Sequence, residues 1–355
     1  MSLANTKTYK LRKDKSTFEY DSGGALEDLQ KEFASMSSKR GTSLSPQTCK
    51  TYISKLNRIA YMITGKPYEN YEFLKDADKV IKKIENSDLK SKKDYLSAVS
   101  KLLRHKKVNE DILEKYNKAM AKEKNIETQA RGDNIAKKED IKKTDGQTLK
   151  QLQKKIEDYD ITDKGKIDDT RLINKLLVSF YFMNFNSQGL PYFIPRNDLP
   201  EFKIVSVNRT KKPLAPEYNY LVVDDNKRPS KIIMKNYKTK ATYGTQSFKL
   251  SNALVDILEK YLNQYGKATG EYLFVDKNNK PFKHNNFINI IENAMNEILG
   301  SRIGIDLARQ LILTNVYNDN PLMTINQKNE VARAFLHSSN MSTEYIRPQL
   351  LAKED

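Results

Sequence analysis

The chain has 355 residues, of which 62 are lysine or arginine and 45 are aspartate or glutamate, so its formal net charge is +17 at pH 7. A single cysteine, Cys49, excludes a disulfide framework, and the three histidines, His105, His284 and His337, are too scattered to indicate a metal site. No run approaches the roughly 18 apolar residues of a membrane span, and the N-terminal segment lacks the apolar core of a secretory signal. These features predict a soluble, intracellular protein whose partner is a polyanion.

The first third of the chain combines a basic arm with helical patterns. Residues 1–24 are polar and basic and end in Ser22-Gly23-Gly24, which predicts a flexible arm. No strand signal interrupts residues 25–130, so we expect an all-α domain there. Ser45-Pro46 predicts the start of one of its helices and Gly65 the end of that helix. The predicted helices cover residues 25–38, 46–65, 71–85, 91–105 and 109–129.

Apolar residues nearly vanish from 131 to 147, which predicts a linker, and 148–355 then mixes helices with strands. The expected fold of this second domain is α+β, mainly helical with a small antiparallel sheet. Residues 232–237 and 247–250 are predicted to form a hairpin, and its long basic tip carries Lys238. The predicted strands are 202–207, 220–223, 232–237 and 247–250. The predicted helices are 148–159, 170–184, 252–265, 284–299, 305–318, 326–336 and 342–350.

Several common chemistries lack their residues. The sequence contains no G-x-x-x-x-G-K-[ST] loop, no G-x-S-x-G elbow, no H-E-x-x-H pair and no C-x-x-C. The informative segment lies near the C-terminus, where Leu336-His337-Ser338 is followed by Tyr345, eight residues after the histidine. Upstream, Arg196 follows an apolar helix, Lys238 lies at the hairpin tip and Arg309 lies within a helix.

These five residues, in this order and on these elements, resemble the tyrosine recombinases of the phage-integrase family. Arg196, Lys238, Arg309, His337 and Tyr345 match the family's catalytic set. Within the family, the runs 237–244 and 337–340 are most similar to recombinases of large eukaryotic DNA viruses and their mobile elements. The resemblance covers about 150–355 by motif and 25–130 by helical character. It implies a tyrosine-recombinase catalytic domain over 148–355 and a core-binding, SAM-like DNA-binding domain over 25–130.

The resemblance implies an enzyme that cuts and rejoins double-stranded DNA through a 3′-phosphotyrosyl intermediate. Tyr345 would be the nucleophile and Lys238 the acid that protonates the leaving oxygen. The arginines and His337 would stabilise the phosphate as its charge grows in the transition state. The tyrosyl ester conserves the energy of the phosphodiester, so no ATP, metal or other cofactor is expected. The family further implies a homo-tetramer that acts on two DNA sites. The protein is expected at DNA inside the cell, with no membrane partner.

Some positions depart from the family pattern and leave alternatives open. Asp306 stands where the family has histidine, and it either turns away to pair with Arg302 or Arg309 or marks an imperfect alignment. Arg196 has an alternative, non-catalytic interpretation as a loop arginine that pairs with Asp198. Further candidates are Arg171 for the first arginine and Lys235 or Lys240 for the lysine. Glu344 and Arg347 are expected to be solvated.

Two other functions remain open on the sequence alone. A type IB topoisomerase shares the residue set but relaxes supercoils as a monomer. A catalytically impaired relative that only binds DNA is compatible with Asp306 beside the second arginine.

Overall fold

The computed structural model of the chain describes residues 24–37, 43–87, 89, 91–133, 135–276 and 278–352. The predicted arm, residues 1–24, lies outside the described residues except for Gly24, which begins the first helix. The described chain divides into two compact units between Gln129 and Ala130. None of the described helices is long and apolar enough to cross a bilayer. Likewise, no three His, Cys, Asp or Glu side chains in these ranges are grouped to hold a metal ion.

The first unit is all-helical, as predicted. Its elements are α1 (Gly24–Ser35), α2 (Pro46–Thr64), a 3-10 turn (Glu72–Lys75), α3 (Ala77–Glu85), α4 (Lys92–His105) and α5 (Glu110–Gly132). The limits of α2 confirm the sequence prediction, because the Ser45 side chain accepts a hydrogen bond from the Thr48 amide and Gly65 ends the helix with φ +75°. Leucine, isoleucine and aromatic side chains from all five helices form its core.

The prediction of one continuous helix over 71–85 is wrong in its first third. Residues Glu72–Lys75 form a 3-10 turn, and α3 begins only at Ala77. Asp76 separates the two because its side chain accepts a hydrogen bond from the Lys79 amide and caps α3. The hydroxyl of buried Tyr116 then donates to the Leu74 carbonyl at 2.7 Å, which ties the 3-10 turn to α5.

The second unit is mainly helical with a four-stranded sheet. Its helices are α6 (Lys138–Thr144), α7 (Leu149–Asp158), α8 (Asp169–Phe182), α9 (Lys240–Tyr243), α10 (Asn252–Gln264), α11 (His284–Leu299), α12 (Ile305–Asp319), α13 (Ile325–Ala334) and α14 (Ser339–Tyr345). Its strands are β1 (Thr162–Asp163), β2 (Lys166–Ile167), β3 (Phe202–Ser206), β4 (Asn219–Val223), β5 (Pro229–Met234) and β6 (Gln246–Lys249). The β1–β2 hairpin was not predicted, because strands of two residues are too short to show a hydrophobic alternation.

The sheet has the order β3-β4-β5-β6, and it is not purely antiparallel as predicted. The β4–β5 and β5–β6 pairs are antiparallel, but β3 pairs with β4 in parallel, with Phe202 opposite Asn219. A parallel pair needs a long crossover, and residues 207–218 supply it with a short 3-10 turn (Asn208–Lys211). One face of the sheet joins the main core, and the other carries a small cluster built on Val205, Tyr220 and Val222.

The segment 131–147, predicted as a linker, contains helix α6. Ala136 and Thr144 are buried, and the Thr144 hydroxyl donates to the Leu350 carbonyl at 2.9 Å. The low apolar content of the segment misled the prediction, because α6 is anchored by a few small side chains and backbone hydrogen bonds.

The C-terminal helices also end differently from the prediction. The last helix is α14 (Ser339–Tyr345), followed by a 3-10 turn (Pro348–Leu351), and not one helix over 342–350. Pro348 disfavours helical backbone at Arg347, so the two elements stay separate. Helix α13 ends at Ala334 because Leu336 adopts a left-handed φ of +55°.

Asn219 connects the sheet to the segment that carries Lys238. Its buried side chain accepts hydrogen bonds from the amides of Lys235 and Asn236, both at 2.9 Å, and donates to the Asn236 carbonyl at 2.7 Å.

We expect Asn219→Ala to lower the free energy of unfolding by about 2–4 kcal/mol, because two amides lose their acceptor. Urea titration followed by circular dichroism measures this. The matched control is Asn226→Ala on the exposed turn, with a change within about 0.5 kcal/mol; equal losses in the two variants would contradict the role of Asn219.

Candidate active site

Arg309, on α12, is the buried centre of the candidate site, with a relative exposure of 1%. Its Nη1 donates to the carbonyls of Ile194 and Pro195 at 2.6 and 3.1 Å. Its Nη2 donates to the Phe335 carbonyl at 2.7 Å and contacts His337 Nε2 at 3.0 Å. Burial, together with the nearby Arg196 charge, lowers the pKa of the guanidinium to about 10, so Arg309 stays charged at neutral pH. The four terminal N–H groups are therefore all used within the protein.

His337 lies on the turn that ends α13 and not on a helix. With Leu336 in the left-handed conformation, the His337 amide donates to the Ala332 carbonyl at 3.0 Å and the Leu336 amide donates to Arg333 at 2.9 Å. This pair of bonds is a Schellman motif, in which the left-handed position usually holds glycine. A leucine there costs roughly 1–2 kcal/mol of backbone strain. The strained turn fixes the position of the imidazole.

The hydrogen bond to Arg309 fixes the protonation of His337. A guanidinium only donates, so His337 Nε2 is the acceptor and the ring proton lies on Nδ1. Burial and the charges of Arg309, Arg196 and Lys238 lower the pKa of His337 to about 3, so the imidazole is neutral at physiological pH. Nδ1 is buried and has no hydrogen-bond partner within the described ranges. His337 therefore presents an unused donor.

Tyr345 is the last residue of α14 and is half-buried. Its ring lies 4.8 Å from the His337 ring, centroid to centroid, with an angle of 52° between the planes. The Tyr345 side chain lies close enough to the Arg309 guanidinium for the two to interact electrostatically. The structure thus brings three of the five predicted residues into direct proximity.

Arg196 lies on the loop between α8 and β3, close enough to Arg309 for the two charges to interact. The hydroxyl of the buried Tyr181 donates to the Arg196 carbonyl at 3.1 Å and thereby fixes the backbone of the loop. The Arg196 Nη1 atom is buried, and the described part of the chain offers it no hydrogen-bond partner. Its rival Arg171 donates instead to the Thr162 carbonyl at 2.7 Å, beside the β1–β2 hairpin.

Asp198 lies on the Arg196 loop and is half-buried. Its Oδ2 atom is buried without a hydrogen-bond partner among the residues the structure covers. Burial raises the pKa of Asp198, and the charges of Arg196 and Arg309 oppose that shift. The expected hydrogen-bonded ion pair between Arg196 and Asp198 does not form among the described residues, where Arg196 Nη1 and Asp198 Oδ2 are both without a partner, although the two charges attract each other.

Lys238 is exposed on the connection between β5 and β6. The next residue, Thr239, donates its hydroxyl to the Leu336 carbonyl at 3.1 Å, so this connection is tied to the turn that carries His337. Lys235 is turned away, since its Nζ donates to the Leu214 carbonyl at 2.5 Å. This role of Thr239 was not predicted from the sequence.

These groups border an open cleft of about 820 Å³. Arg196, Lys238 and Tyr345 line it, whereas Arg309 is buried and His337 borders a second pocket of about 350 Å³. Two lysines from the α6 segment, Lys137 and Lys143, also line the cleft, although the sequence analysis treated that segment as a linker. The lining also includes Arg302, Asp140, Glu292 and Asp306.

Asp306 forms neither of the two pairs expected for it. Arg302 pairs with Glu292, with Nε and Oε2 3.0 Å apart, and the Arg309 terminal nitrogens donate to other acceptors. Asp306 lies exposed in the first turn of α12, where a negative charge is favourable beside the helix N-terminus. Its charge also contributes, as a minor cause, to the pKa of the nearby Arg309.

Arg347 is buried, with a relative exposure of 8%, which corrects the expectation that it is solvated. Its amide donates to the Thr314 hydroxyl at 2.9 Å, on the helix that carries Arg309. Pro348, the next residue, is the signal in the sequence that the helix cannot continue through Arg347.

Comparison with known proteins identifies no family by sequence: neither a protein-family model nor a curated protein matches the chain. Among solved structures, the chain is similar to a crystal structure of XerA recombinase. The alignment covers 93% of this chain and 94% of that one, with 11% sequence identity and a TM-score of 0.33.

The lowered pKa of His337 predicts a pH-dependent stability. The unfolded imidazole takes up a proton below about pH 6.5, whereas the folded one stays neutral down to about pH 3. The folded state therefore loses stability as the pH falls through this window, by about 2 kcal/mol between pH 7 and pH 5. We expect His337→Gln to remove this contribution, measured as the difference between wild type and variant in urea titrations at both pH values. An equal pH dependence in the two proteins would contradict a neutral, buried His337.

Proposed function

We propose that this chain is a tyrosine recombinase, which cuts and rejoins double-stranded DNA through a covalent bond between Tyr345 and a DNA 3′-phosphate. The observation that carries the proposal is a pair of unused, buried donors, Arg196 Nη1 and His337 Nδ1, beside a tyrosine whose ring contacts His337. A buried polar group without a partner is costly. A bound phosphate oxygen is the acceptor that would satisfy both donors.

Each step of the reaction has a candidate group. The Tyr345 hydroxyl loses its proton to solvent in the cleft, and the oxygen attacks phosphorus. The new Tyr345–phosphorus bond replaces the bond to the 5′ oxygen of the next nucleotide. Lys238 gives a proton to that leaving oxygen. Rejoining reverses these steps, so the energy of the phosphodiester is kept in the tyrosyl ester.

The roles of the two arginines differ in this proposal. Arg196 retains a free N–H group and is assigned to the phosphate, where it stabilises the charge that grows in the transition state. Arg309 has committed its terminal N–H groups to the protein. We assign it to holding His337 in the Nδ1–H form and to supplying buried positive charge.

The wider assignments rest on the residue pattern of the sequence. We propose that the helical unit ending at Gln129 is a DNA-binding domain and that the net charge of +17 provides affinity for phosphates. We further propose site-specific recombination by a homo-tetramer on two sites, as in the integration or excision of a viral or mobile genome. Metal ions and ATP have no part in this scheme.

A second candidate is a protein that binds DNA without cutting it. The specific observation in its favour is that Arg309 leaves no terminal N–H group for a phosphate. In that case Arg196 and the cleft lysines would hold the DNA backbone and Tyr345 would stay unmodified.

The central prediction is a covalent protein–DNA product. We expect the wild-type chain, incubated with a library of nicked duplexes of random sequence, to give a protein–DNA band on a denaturing gel. Tyr345→Phe should abolish this band while DNA binding persists. The matched control is Tyr243→Phe, because Tyr243 borders the pocket on the other side of His337 and has no assigned role. A wild-type chain that binds duplex DNA but gives no band would establish the second candidate.

A second prediction separates the two cleft arginines. At saturating DNA, Arg196→Met should slow formation of the covalent product by about 10²–10³-fold, the usual cost of removing one transition-state donor. Arg302→Met is the control, since Arg302 lines the same cleft but is paired with Glu292, and we expect a change within about threefold. Equal effects of the two substitutions would mean that Arg196 acts only through the general charge of the cleft.

A further inference from the structure

Arg347 is a buried cation two residues after the candidate nucleophile, and the proposed reaction does not use it. Its guanidinium Nη1 donates to the Glu344 carbonyl at 2.5 Å and to the Ile346 carbonyl at 2.8 Å. These two carbonyls flank Tyr345 in the chain. The side chain of Arg347 therefore holds the backbone on both sides of Tyr345.

The same residue is fixed to the helix that carries Arg309. The Arg347 amide donates to the Thr314 hydroxyl at 2.9 Å, and this hydroxyl donates in turn to the Gln310 carbonyl at 2.7 Å. Thr314 is buried, with a relative exposure of 2%, and α12 is a regular helix from Ile305 to Asp319. A rigid connection thus runs from the Arg309 helix through Thr314 and Arg347 to Tyr345.

Helix α14 needs such a connection because it is only seven residues long. A helix of that length is unstable by itself, and its last carbonyls have no partners within the helix. A cation at the C-terminal end satisfies those carbonyls and complements the helix dipole. Without Arg347, we expect the last turn of α14, including Tyr345, to fray.

We propose that Arg347 and Thr314 are positioning residues, which set the distance between Tyr345 and the pocket formed by Arg309 and His337. This inference rests on the proposed function for its catalytic consequence, and on the hydrogen bonds alone for its structural consequence. Displacement of a reacting group by about 1 Å costs a reaction about 10²-fold. Loss of the connection should therefore slow the attack of Tyr345 without weakening DNA binding.

The 3-10 turn at Pro348–Leu351 supports the connection from the other side. Leu350 is fully buried, and its carbonyl accepts the hydrogen bond from Thr144 on α6. The chain on both sides of Arg347 is thus held by residues of the same unit.

The test pairs a disruptive with a conservative substitution at each residue. Arg347→Met keeps the aliphatic stem but removes the donors, whereas Arg347→Lys keeps a cation that can donate to both carbonyls. Thr314→Val removes the hydroxyl, whereas Thr314→Ser keeps it. At saturating nicked DNA, below the unfolding temperature of each variant, we expect Met and Val to slow single-turnover adduct formation by about 10–10²-fold. The Lys and Ser variants should stay within about fivefold of wild type, and the DNA dissociation constant should change by less than about twofold in all four.

Hydrogen exchange gives a readout that does not depend on activity. Amides of residues 339–347 should exchange faster in Arg347→Met and Thr314→Val, with α8 unchanged as an internal reference. Unchanged exchange in both variants, or adduct rates equal to wild type, would overturn the positioning role. If the wild-type chain forms no adduct, the proposed function fails, and the exchange data alone still decide whether Arg347 holds Tyr345.

Discussion

One buried guanidinium organises the candidate site. Arg309 joins the loop at Ile194–Pro195, the end of α13 at Phe335 and the His337 ring through four contacts of 2.6 to 3.1 Å. A buried cation is tolerated only when its donors are satisfied, so these segments are fixed together by the need to satisfy it. Removing any of the three carbonyl acceptors would leave an unsatisfied charge in the interior.

The chemistry proposed for the site follows from that arrangement. Because Arg309 occupies His337 Nε2, the imidazole carries its proton on Nδ1 and remains neutral, with a pKa near 3. A neutral donor avoids placing a third positive charge beside Arg196 and Arg309. The Arg196 loop is held by the Tyr181 hydroxyl, and Arg196 Nη1 has no hydrogen-bond partner among the described residues, so it is available to a ligand in the cleft.

Local signals predicted much of the fold, and long-range contacts account for the errors. The Ser45 cap and the Gly65 stop could be predicted because a helix end is determined by the residues next to it. The parallel β3–β4 pair could not, since strand direction depends on how the crossover packs. Helix α6 was missed because its stability comes from contacts more than 200 residues away, at Gln349 and Leu350.

The candidate site shows the same division. The order of these residues in the sequence made Arg196, Lys238, Arg309, His337 and Tyr345 the candidates, and the structure places Arg309, His337 and Tyr345 next to one another. The sequence could not show that Arg309 is saturated by protein carbonyls, nor that Arg347 is buried, because both depend on backbone groups whose placement no residue type reveals.

We propose that Tyr345 becomes esterified to DNA, and mass spectrometry of a nuclease- and protease-digested adduct can identify the ester. We expect a peptide that carries a nucleotide on Tyr345, joined through the 3′-phosphate. A nucleotide on another side chain, a linkage through a 5′-phosphate, or an unmodified Tyr345 in a chain that binds DNA would contradict it.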